Sequence, residues 1–243
     1  ESPYISPMSV TELRLASYNI RKARGLDNKR MPERTLEVIN GLDADIVVLQ
    51  EADKRLAPRR PAIPRKLIEA ETDLDLVEVA KNGISLGWHG NAVLMRRGLK
   101  ASRVERLALP GFEPRGAVRV SCDVPGGRCG IATHLGLRRR DRQLQLDVLQ
   151  RAAQQSTHVI LAGDFNEWSR KKGLEPLQPH FDVHTPGRSF HARRPIAARD
   201  RVAVSTGLQV RSGGVDDSRL ARRASEHLPV WVNVQLPTRA STC

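Results

Sequence analysis

The 243-residue chain alternates short hydrophobic runs with polar residues, and several of these runs end on an acid, an amide or an imidazole. Three runs predict β-strands that end near Asn19, Glu51 and Asp164. A fourth strand is predicted over 230–236, where apolar and polar residues alternate, and His227 lies just before it. The pattern therefore puts residues that are capable of chemistry at the ends of strands.

Two other segments have the spacing of amphipathic helices. The first starts at Met31, carries Pro32 in its first turn and closes at Gly41. The second covers 138–155 and has apolar residues on one face, opposite basic and amide side chains. The periodicity alone predicts a mixed α and β fold with many short strands. Three of these, predicted to be antiparallel neighbours, cover residues 90–96, 117–124 and 129–134.

Composition narrows the class of protein. Hydrophobic residues make up 40% of the chain and charged residues 28%, which is typical of a globular protein. No apolar run approaches the roughly 18 residues that a membrane span needs. Because the polar strand ends are spread from residue 19 to residue 227, we expect one domain over 11–237, with tails at 1–10 and 238–243. The three cysteines define no disulfide framework, so we expect free thiols and a cytoplasmic location in preference to a secreted one. We also expect a monomer.

The order of the polar motifs is more specific than any one motif. Along the chain they are Asn19, Gln50-Glu51, Thr133-His134-Leu135, Gly163-Asp164-Phe165-Asn166, Asp200 and Ser225-Glu226-His227. In this order, from about Leu13 to Leu236, the chain resembles the endonuclease/exonuclease/phosphatase superfamily, the deoxyribonuclease I-like phosphodiesterases. The resemblance implies an α/β (α+β) fold, a four-layered sandwich of two mainly antiparallel β-sheets flanked by helices. It also implies a site at one edge, where loops from both sheets meet.

The resemblance implies a metal site and a general base. Glu51 is expected to be the main ligand of Mg²⁺ or Mn²⁺, with Glu226 and Asn19 as further ligands, because such hard cations prefer oxygen donors. His227 is expected to take a proton from water, since an imidazole titrates near neutral pH. Asp200 is expected to orient that imidazole.

The remaining motifs are expected to contact the water and the phosphate. Asp164 and Asn166 are two residues apart, so on an extended chain their side chains point the same way. Asp164 is expected to position the nucleophilic water, and His134 to donate to the phosphate or to the leaving oxygen. Asn91 is expected to orient His134. The expected phosphate-binding residues are Asn166, Asn19, Arg115 and Asn91.

Two positions depart from the pattern of the superfamily. Its last motif is usually Ser-Asp-His, whereas this chain has Ser225-Glu226-His227. Glutamate keeps the negative charge but adds a methylene group, so the position and the identity of the metal stay open. The carboxylate charge and the expected base, His227, are both retained. Asp200 lies between Arg199 and Arg201, where the superfamily usually has an aliphatic residue before and often an aromatic residue after.

The charge of the chain predicts a polyanionic substrate. The formal net charge is +13 and the isoelectric point about 10.6. Basic clusters adjoin the catalytic motifs, and we expect them to form an electropositive track for a nucleic-acid backbone. Aromatic residues are only 4%, so few side chains are available to stack on bases. The clusters are Arg59-Arg60 with Arg65-Lys66, Arg138-Arg139-Arg140, Arg170-Lys171-Lys172, Arg193-Arg194 and Arg222-Arg223.

We therefore expect a divalent-metal-dependent endonuclease that hydrolyses DNA with little sequence specificity. One alternative is a phospholipid or phosphoinositide phosphodiesterase or phosphatase of the same superfamily, whose basic surface would bind an anionic membrane. No apolar insertion loop is evident in the sequence to support it. The other alternative, suggested by Glu226, is an inactive nucleic-acid-binding module, although the intact Glu51, Asp164 and His227 argue against it.

Overall fold

The computed structural model describes residues 12–122, 128–169 and 172–236, which form two six-stranded β-sheets. The first sheet contains, in spatial order, β11 (Gln209–Val215), β12 (Val230–Gln235), β1 (Glu12–Asn19), β2 (Ile46–Gln50), β4 (Ala92–Arg96) and β3 (Leu74–Leu76). The second contains β5 (Ala101–Leu109), β6 (Arg115–Cys122), β7 (Arg128–His134), β8 (Val159–Asp164), β10 (Asp200–Ser205) and β9 (Phe181–His184).

Each sheet is antiparallel except for one parallel pair at its centre, β1 with β2 and β7 with β8. The carboxyl ends of parallel strands meet at the same edge of a sheet. The register places Asn19 beside Gln50 in the first sheet and His134 beside Asp164 in the second. β10 starts at this edge, with Asp200 opposite Asp164. The topology thus collects the polar motifs at one end of the molecule.

The period-two alternation of the strands sorts their side chains into layers. Leu13 and Leu15 of β1 lie in the core between the two sheets, whereas Ala16 and Tyr18 lie in the core under the helices. Burying one large aliphatic side chain stabilises the fold by roughly 1.5–3 kcal/mol. A separate core packs the second sheet against its own helix. The helices are α1 (Pro32–Gly41), α2 (Arg65–Glu71) and α4 (Ala221–Ala224) on the first sheet and α3 (Arg139–Ala153) on the second.

The observed order of layers is helix, sheet, sheet, helix, which confirms the sandwich that the sequence implies. Both predicted helices are present as α1 and α3. The expectation that the run 90–96 neighbours the runs 117–124 and 129–134 was wrong, because β4 belongs to the first sheet. β5 pairs with β6 instead, and the sequence pattern missed it because most of its residues are exposed or half-buried at a sheet edge.

The predicted tails, 1–10 and 238–243, lie outside the described residues. In the part of the chain that is described, no helix has the length and apolar character needed to cross a membrane.

Candidate active site

Three polar side chains surround the carboxylate of Asp164 at the shared edge of the two sheets. The Nδ2 of Asn19 donates to Asp164 Oδ2 at 3.1 Å. The Nε2 atoms of His134 and His227 lie 3.4 and 3.5 Å from the same oxygen. All four residues are buried. Since Asn19 belongs to the first sheet and Asp164 to the second, the site exists only where the two sheets meet.

His227 lies between two carboxylates. Its Nδ1 is 2.9 Å from Asp200 Oδ2, which also accepts a hydrogen bond from the hydroxyl of Ser189. The ring of Phe190 packs 4.9 Å from the imidazole, centroid to centroid. Burial lowers the pKa of His227, but the charges of Asp200 and Asp164 outweigh burial and leave that pKa above its ordinary value. With Nδ1 donating to Asp200, Nε2 is the atom that can exchange a proton with a substrate or with water.

His134, unlike His227, is held in its neutral form. Arg115 Nη1 lies 2.9 Å from His134 Nδ1, and a guanidinium can only donate, so Nδ1 accepts and Nε2 carries the hydrogen. Burial, reinforced by Arg115, lowers the pKa of His134 to about 3 although Asp164 opposes the shift. His134 is therefore a neutral donor at neutral pH. The carboxylate of Glu113 in turn holds Arg115, at 2.9 and 2.7 Å.

Asn91 does not contact His134 in this network. Its Nδ2 donates to the carbonyl oxygens of Gly116 and Trp88, at 2.8 and 3.2 Å. Asn91 thus ties the start of β4 to β6, and the residue that orients His134 is Arg115.

Asn166 is fixed by two hydrogen bonds. Its backbone N–H donates to Asp164 Oδ1 at 2.9 Å, and its Nδ2 donates to the carbonyl of Leu135 at 2.8 Å. In the described part of the chain its buried Oδ1 has no hydrogen-bond partner. An orphaned buried oxygen of this kind is costly unless something binds it, so Asn166 has an unused acceptor inside the site.

The two carboxylates expected to hold a metal ion each pair with a basic residue of one turn. The ammonium of Lys22 contacts the carboxylate of Glu51, and Arg21 Nε lies 3.3 Å from Glu226 Oε2. Both basic residues belong to the short 3₁₀ turn that follows β1. Burial, reinforced by Arg55, lowers the pKa of Lys22 to about 8. The sequence pattern predicts neither contact, although Arg21 and Lys22 directly follow Asn19-Ile20.

The donor atoms present fit a hard divalent cation. Glu51 and Glu226 are carboxylates with side chains 19% and 32% exposed, and both already attract a positive charge. A second possible ligand group, in which one atom each of Asp164, Asp200 and His227 lies within 4.8 Å of the others, is fully buried. There the facing atoms of Asp200 and His227 are already joined by their hydrogen bond, so the glutamates are the better fit.

The turns that present these side chains are strained. Glu51, His89 and Asn166 have φ angles of 52°, 50° and 51°, in the left-handed region that non-glycine residues adopt at a cost of roughly 1–3 kcal/mol each. Gly163 serves a different purpose, because a Cβ there would lie 1.9 Å from the carbonyl oxygen of Thr133. Only glycine lets β8 approach β7 closely enough to put Asp164 beside His134.

The two arginines that flank Asp200 have structural partners at the site. Arg199 Nε lies 3.8 Å from Asp164 Oδ1, and its guanidinium lies 4.4 Å from the centroid of the Phe190 ring. Arg201 is fully buried and donates to backbone carbonyls of the loop that follows Asn166. The departure from the superfamily pattern therefore coincides with extra support beneath the loop that follows Asn166.

The predicted basic clusters differ in how far they are neutralised. Arg138 stacks over the ring of Phe112 at 4.4 Å, and Arg139 lies 3.9 Å from Glu175. Arg222 and Arg223 pair with Asp217 and Asp27, each at 3.3 Å. Arg170 and Lys171 lie outside the described residues. The cluster residues that form no ion pair within the described ranges are Arg59, Arg60, Lys66, Arg138, Arg140, Lys172, Arg193 and Arg194.

A cleft of about 370 Å³ opens beside the buried residues, and we call it the catalytic cleft. Glu51 and His134 line it together with the cations Lys22, Arg55 and Arg59. The loops around the site also carry large apolar side chains that are exposed, which the sequence pattern did not predict. They are Leu56 (84% exposed), Phe112 (77%), Leu137 (61%), Trp168 (59%) and Ile196 (61%).

Sequence and fold are similar to those of known proteins. The family model described as the Endonuclease/Exonuclease/phosphatase family matches residues 16–227. The uncharacterized protein YbhP of Escherichia coli (strain K12) is 28% identical over 246 residues, which cover 92% of this chain and 96% of YbhP.

Two solved structures share the fold. The endonuclease/exonuclease/phosphatase from Beutenbergia cavernae DSM 12333 has a TM-score of 0.72 and 23% identity, and the match covers 93% of this chain and 72% of that one. D. rerio TDP2 complexed with single strand DNA product has a TM-score of 0.72 and 15% identity, covering 93% and 100%.

Proposed function

Because the chain belongs to the endonuclease/exonuclease/phosphatase family, whose members hydrolyse phosphate esters, we propose that it is a divalent-metal-dependent endonuclease that cleaves DNA with little sequence specificity. The observation that carries this proposal is the convergence of Asn19, His134 and His227 on one oxygen of Asp164. Hydrolysis of a phosphodiester needs a proton acceptor, a fixed water and donors for the developing charge. The buried cluster contains a candidate for each.

His227 is the proposed general base. Its Nδ1–H is held by Asp200, which leaves Nε2 to accept a proton from the attacking water. A pKa above the ordinary value makes the imidazole a stronger proton acceptor. Asp200 is then a positioning residue, since it fixes the tautomer and the orientation of the ring without contacting the substrate.

Asp164, Asn166 and His134 are proposed to hold the reacting groups. The carboxylate of Asp164 orients the water. The free Oδ1 of Asn166 accepts from that water, and Nδ2 of Asn166, which already donates one hydrogen to the carbonyl of Leu135, donates its second to the phosphate. His134 remains neutral and donates from Nε2 to a phosphate oxygen or to the leaving oxygen. Glu51, with Glu226 and Asn19, would hold Mg²⁺ or Mn²⁺, which when bound supplies neutralisation of the phosphate charge.

The distribution of charge supports a nucleic-acid substrate. Arg55, Arg59, Arg193 and Arg194 adjoin the catalytic motifs without an ion pair anywhere in the residues described. Non-specific binding to a nucleic-acid backbone comes from such uncompensated cations. TDP2, which shares the fold, has been solved with a single-strand DNA product.

Salt dependence tests the nucleic-acid proposal. Binding of duplex DNA by the hydrolysis-deficient His227→Ala variant should weaken with salt, with a logarithmic slope of roughly −0.9 for each phosphate contacted. Replacing Arg138, Arg139 and Arg140 with alanine should flatten the slope by about two to three units and leave sequence preference unchanged. The matched control is the triple alanine replacement of Arg97, Lys100 and Arg103, which lie at the opposite edge of the sheets. A slope near zero for the parent variant would refute nucleic acid as the substrate.

The exposed apolar side chains favour a second candidate function, a phosphodiesterase or phosphatase that acts on anionic lipid. Leu56 stands beside Arg55, and Leu137 stands beside Arg138, which is the mixture of apolar and basic groups that binds anionic membrane surfaces. The test is sedimentation with vesicles of anionic and of neutral lipid, alongside hydrolysis of plasmid, linear DNA, RNA and phosphatidylinositol phosphates. Tight binding to anionic vesicles that is lost in Leu56→Ser, with faster hydrolysis of lipid than of DNA, would replace the nuclease proposal.

A further inference from the structure

The catalytic cleft continues into a second cleft of about 460 Å³, and the two share Lys22 and Arg55. Its volume lies within the roughly 300–1,000 Å³ typical of ligand sites. Its other lining residues are three apolar residues of the same loop and three further cations, and none of the described acidic residues lines it. We call it the cationic cleft, and its five cations are Lys22, Arg30, Lys54, Arg55 and Arg60.

The charge of the cationic cleft is largely uncompensated. Lys22 contacts Glu51, but Arg30, Lys54, Arg55 and Arg60 form no ion pair with any described residue. Like charges that converge in a concave site repel one another and raise the local concentration of anions. Arginine also matches the geometry of phosphate, because its guanidinium can donate two parallel hydrogen bonds.

The loop that carries these cations is held in place by its own backbone. The N–H of Lys54 donates to the carbonyl of Arg60 at 2.8 Å, and the N–H of Ala62 donates to the carbonyl of Ala52 at 2.8 Å. The carbonyl of Arg59 accepts from the hydroxyl of Ser85 at 2.8 Å. The loop therefore presents its cations in a preorganised arrangement, which lowers the entropy lost on binding.

We propose that the cationic cleft binds a second phosphate group of the substrate, adjacent along the same strand to the diester that is cleaved. The proposal rests on the proposed function, because it takes a nucleic-acid strand as the molecule that joins the two phosphates. A strand that passes from the catalytic cleft over Lys22 and Arg55 brings its next phosphate to Lys54 and Arg60. The enzyme should then favour substrates with two consecutive phosphates over an isolated diester.

The double variant Lys54→Gln/Arg60→Gln tests this proposal, because these two residues line the cationic cleft and do not line the catalytic cleft. The substrates are a dinucleotide with one internal diester and the same dinucleotide with a terminal phosphate at its 5′ or its 3′ end. For wild type, one terminal phosphate should raise kcat/KM, chiefly through KM, by about tenfold or more. The double variant should lose most of that preference. Lys100→Gln/Arg103→Gln, which removes the same charge from the opposite edge, should retain it.

Calorimetric titration with inorganic phosphate, in chelator, gives a readout that does not depend on hydrolysis. Wild type and the Lys100→Gln/Arg103→Gln control should bind phosphate at least about tenfold more tightly than Lys54→Gln/Arg60→Gln. Equal affinities, or no binding by wild type, would overturn the subsite. If the double variant loses phosphate binding but wild type hydrolyses none of the dinucleotides, the proposal of a phosphate subsite would stand and the proposed nuclease function would be refuted.

Discussion

His134→Asn should change how the stability of the protein depends on pH. Burial and the neighbouring Arg115 lower the pKa of His134 from 6.5 to about 3 in the folded protein. Between these values the unfolded chain binds a proton on His134 that the folded chain does not, so stability falls as the pH drops. As far as His134 is concerned, the free energy of unfolding is highest above pH 6.5 and falls toward pH 3 by about 1.4 kcal/mol per pH unit. Asparagine has an oxygen that can accept from Arg115, but it does not titrate.

At pH 4.5, two units below the pKa of His134 in the unfolded chain, the unfolded chain binds a proton on His134 and the folded chain does not. This difference should lower the free energy of unfolding of wild type by roughly 2.7 kcal/mol. The assay is urea unfolding of wild type and His134→Asn, followed by tryptophan fluorescence, at intervals between pH 7.5 and 4.5. Between pH 7.5 and 4.5, the free energy of unfolding of wild type should therefore fall by that amount more than the free energy of unfolding of His134→Asn. Repeating the series at high salt is the control, because burial is not screened by ions whereas surface charges are. A difference that stays constant with pH would refute a neutral, buried His134.

Three further predictions concern the metal, the departure from the family pattern and the base. Glu51→Gln should abolish hydrolysis at ordinary Mg²⁺ and weaken Mn²⁺ binding in calorimetry while the melting temperature is retained, because it removes a charge with little change of shape; full wild-type activity in chelator would contradict this. Glu226→Asp should be tolerated or should raise Mg²⁺-supported turnover, since it restores the usual ligand length, and a complete loss of turnover would show a site arranged around glutamate. His227→Ala and Asp200→Asn should each lower kcat by about two to four orders of magnitude with DNA binding retained, and unchanged turnover in His227→Ala would eliminate it as the base.

The sequence predicts that several candidate site residues lie near one another because these residues lie at strand ends. Asn19 and Asp164 each end a central strand of their own sheet, and the parallel pairing within each sheet puts Asn19 beside Gln50 and Asp164 beside His134. Helices α1 and α3 were predictable for a similar reason, since the apolar face of a helix leaves a 3.6-residue period in the sequence.

The missed features depend on contacts between distant segments. Nothing in the sequence distinguishes Arg115 from Asn91 as the partner of His134, because both belong to motifs near the same edge. The full burial of Arg201 was equally hidden, since an arginine in a strand is usually exposed and here it satisfies backbone carbonyls of a loop more than thirty residues earlier. The exposure of Leu56 reflects the path of its loop, and an isolated leucine carries no sign of that path.

The pairing of β1 with both β2 and β12 makes the candidate site depend on strands from distant parts of the sequence. Asn19 donates to a carboxylate 145 residues away, and the hydroxyl of Ser225 holds the carbonyl of Asn19 across 206 residues at 2.7 Å. A chain still emerging from the ribosome has β1 and β2 long before it has the strand that completes their sheet. Every fragment short of β12 lacks a complete first sheet, and every fragment that ends before residue 227 also lacks the imidazole. The order of the strands along the chain thus delays assembly of the site until both sheets are complete.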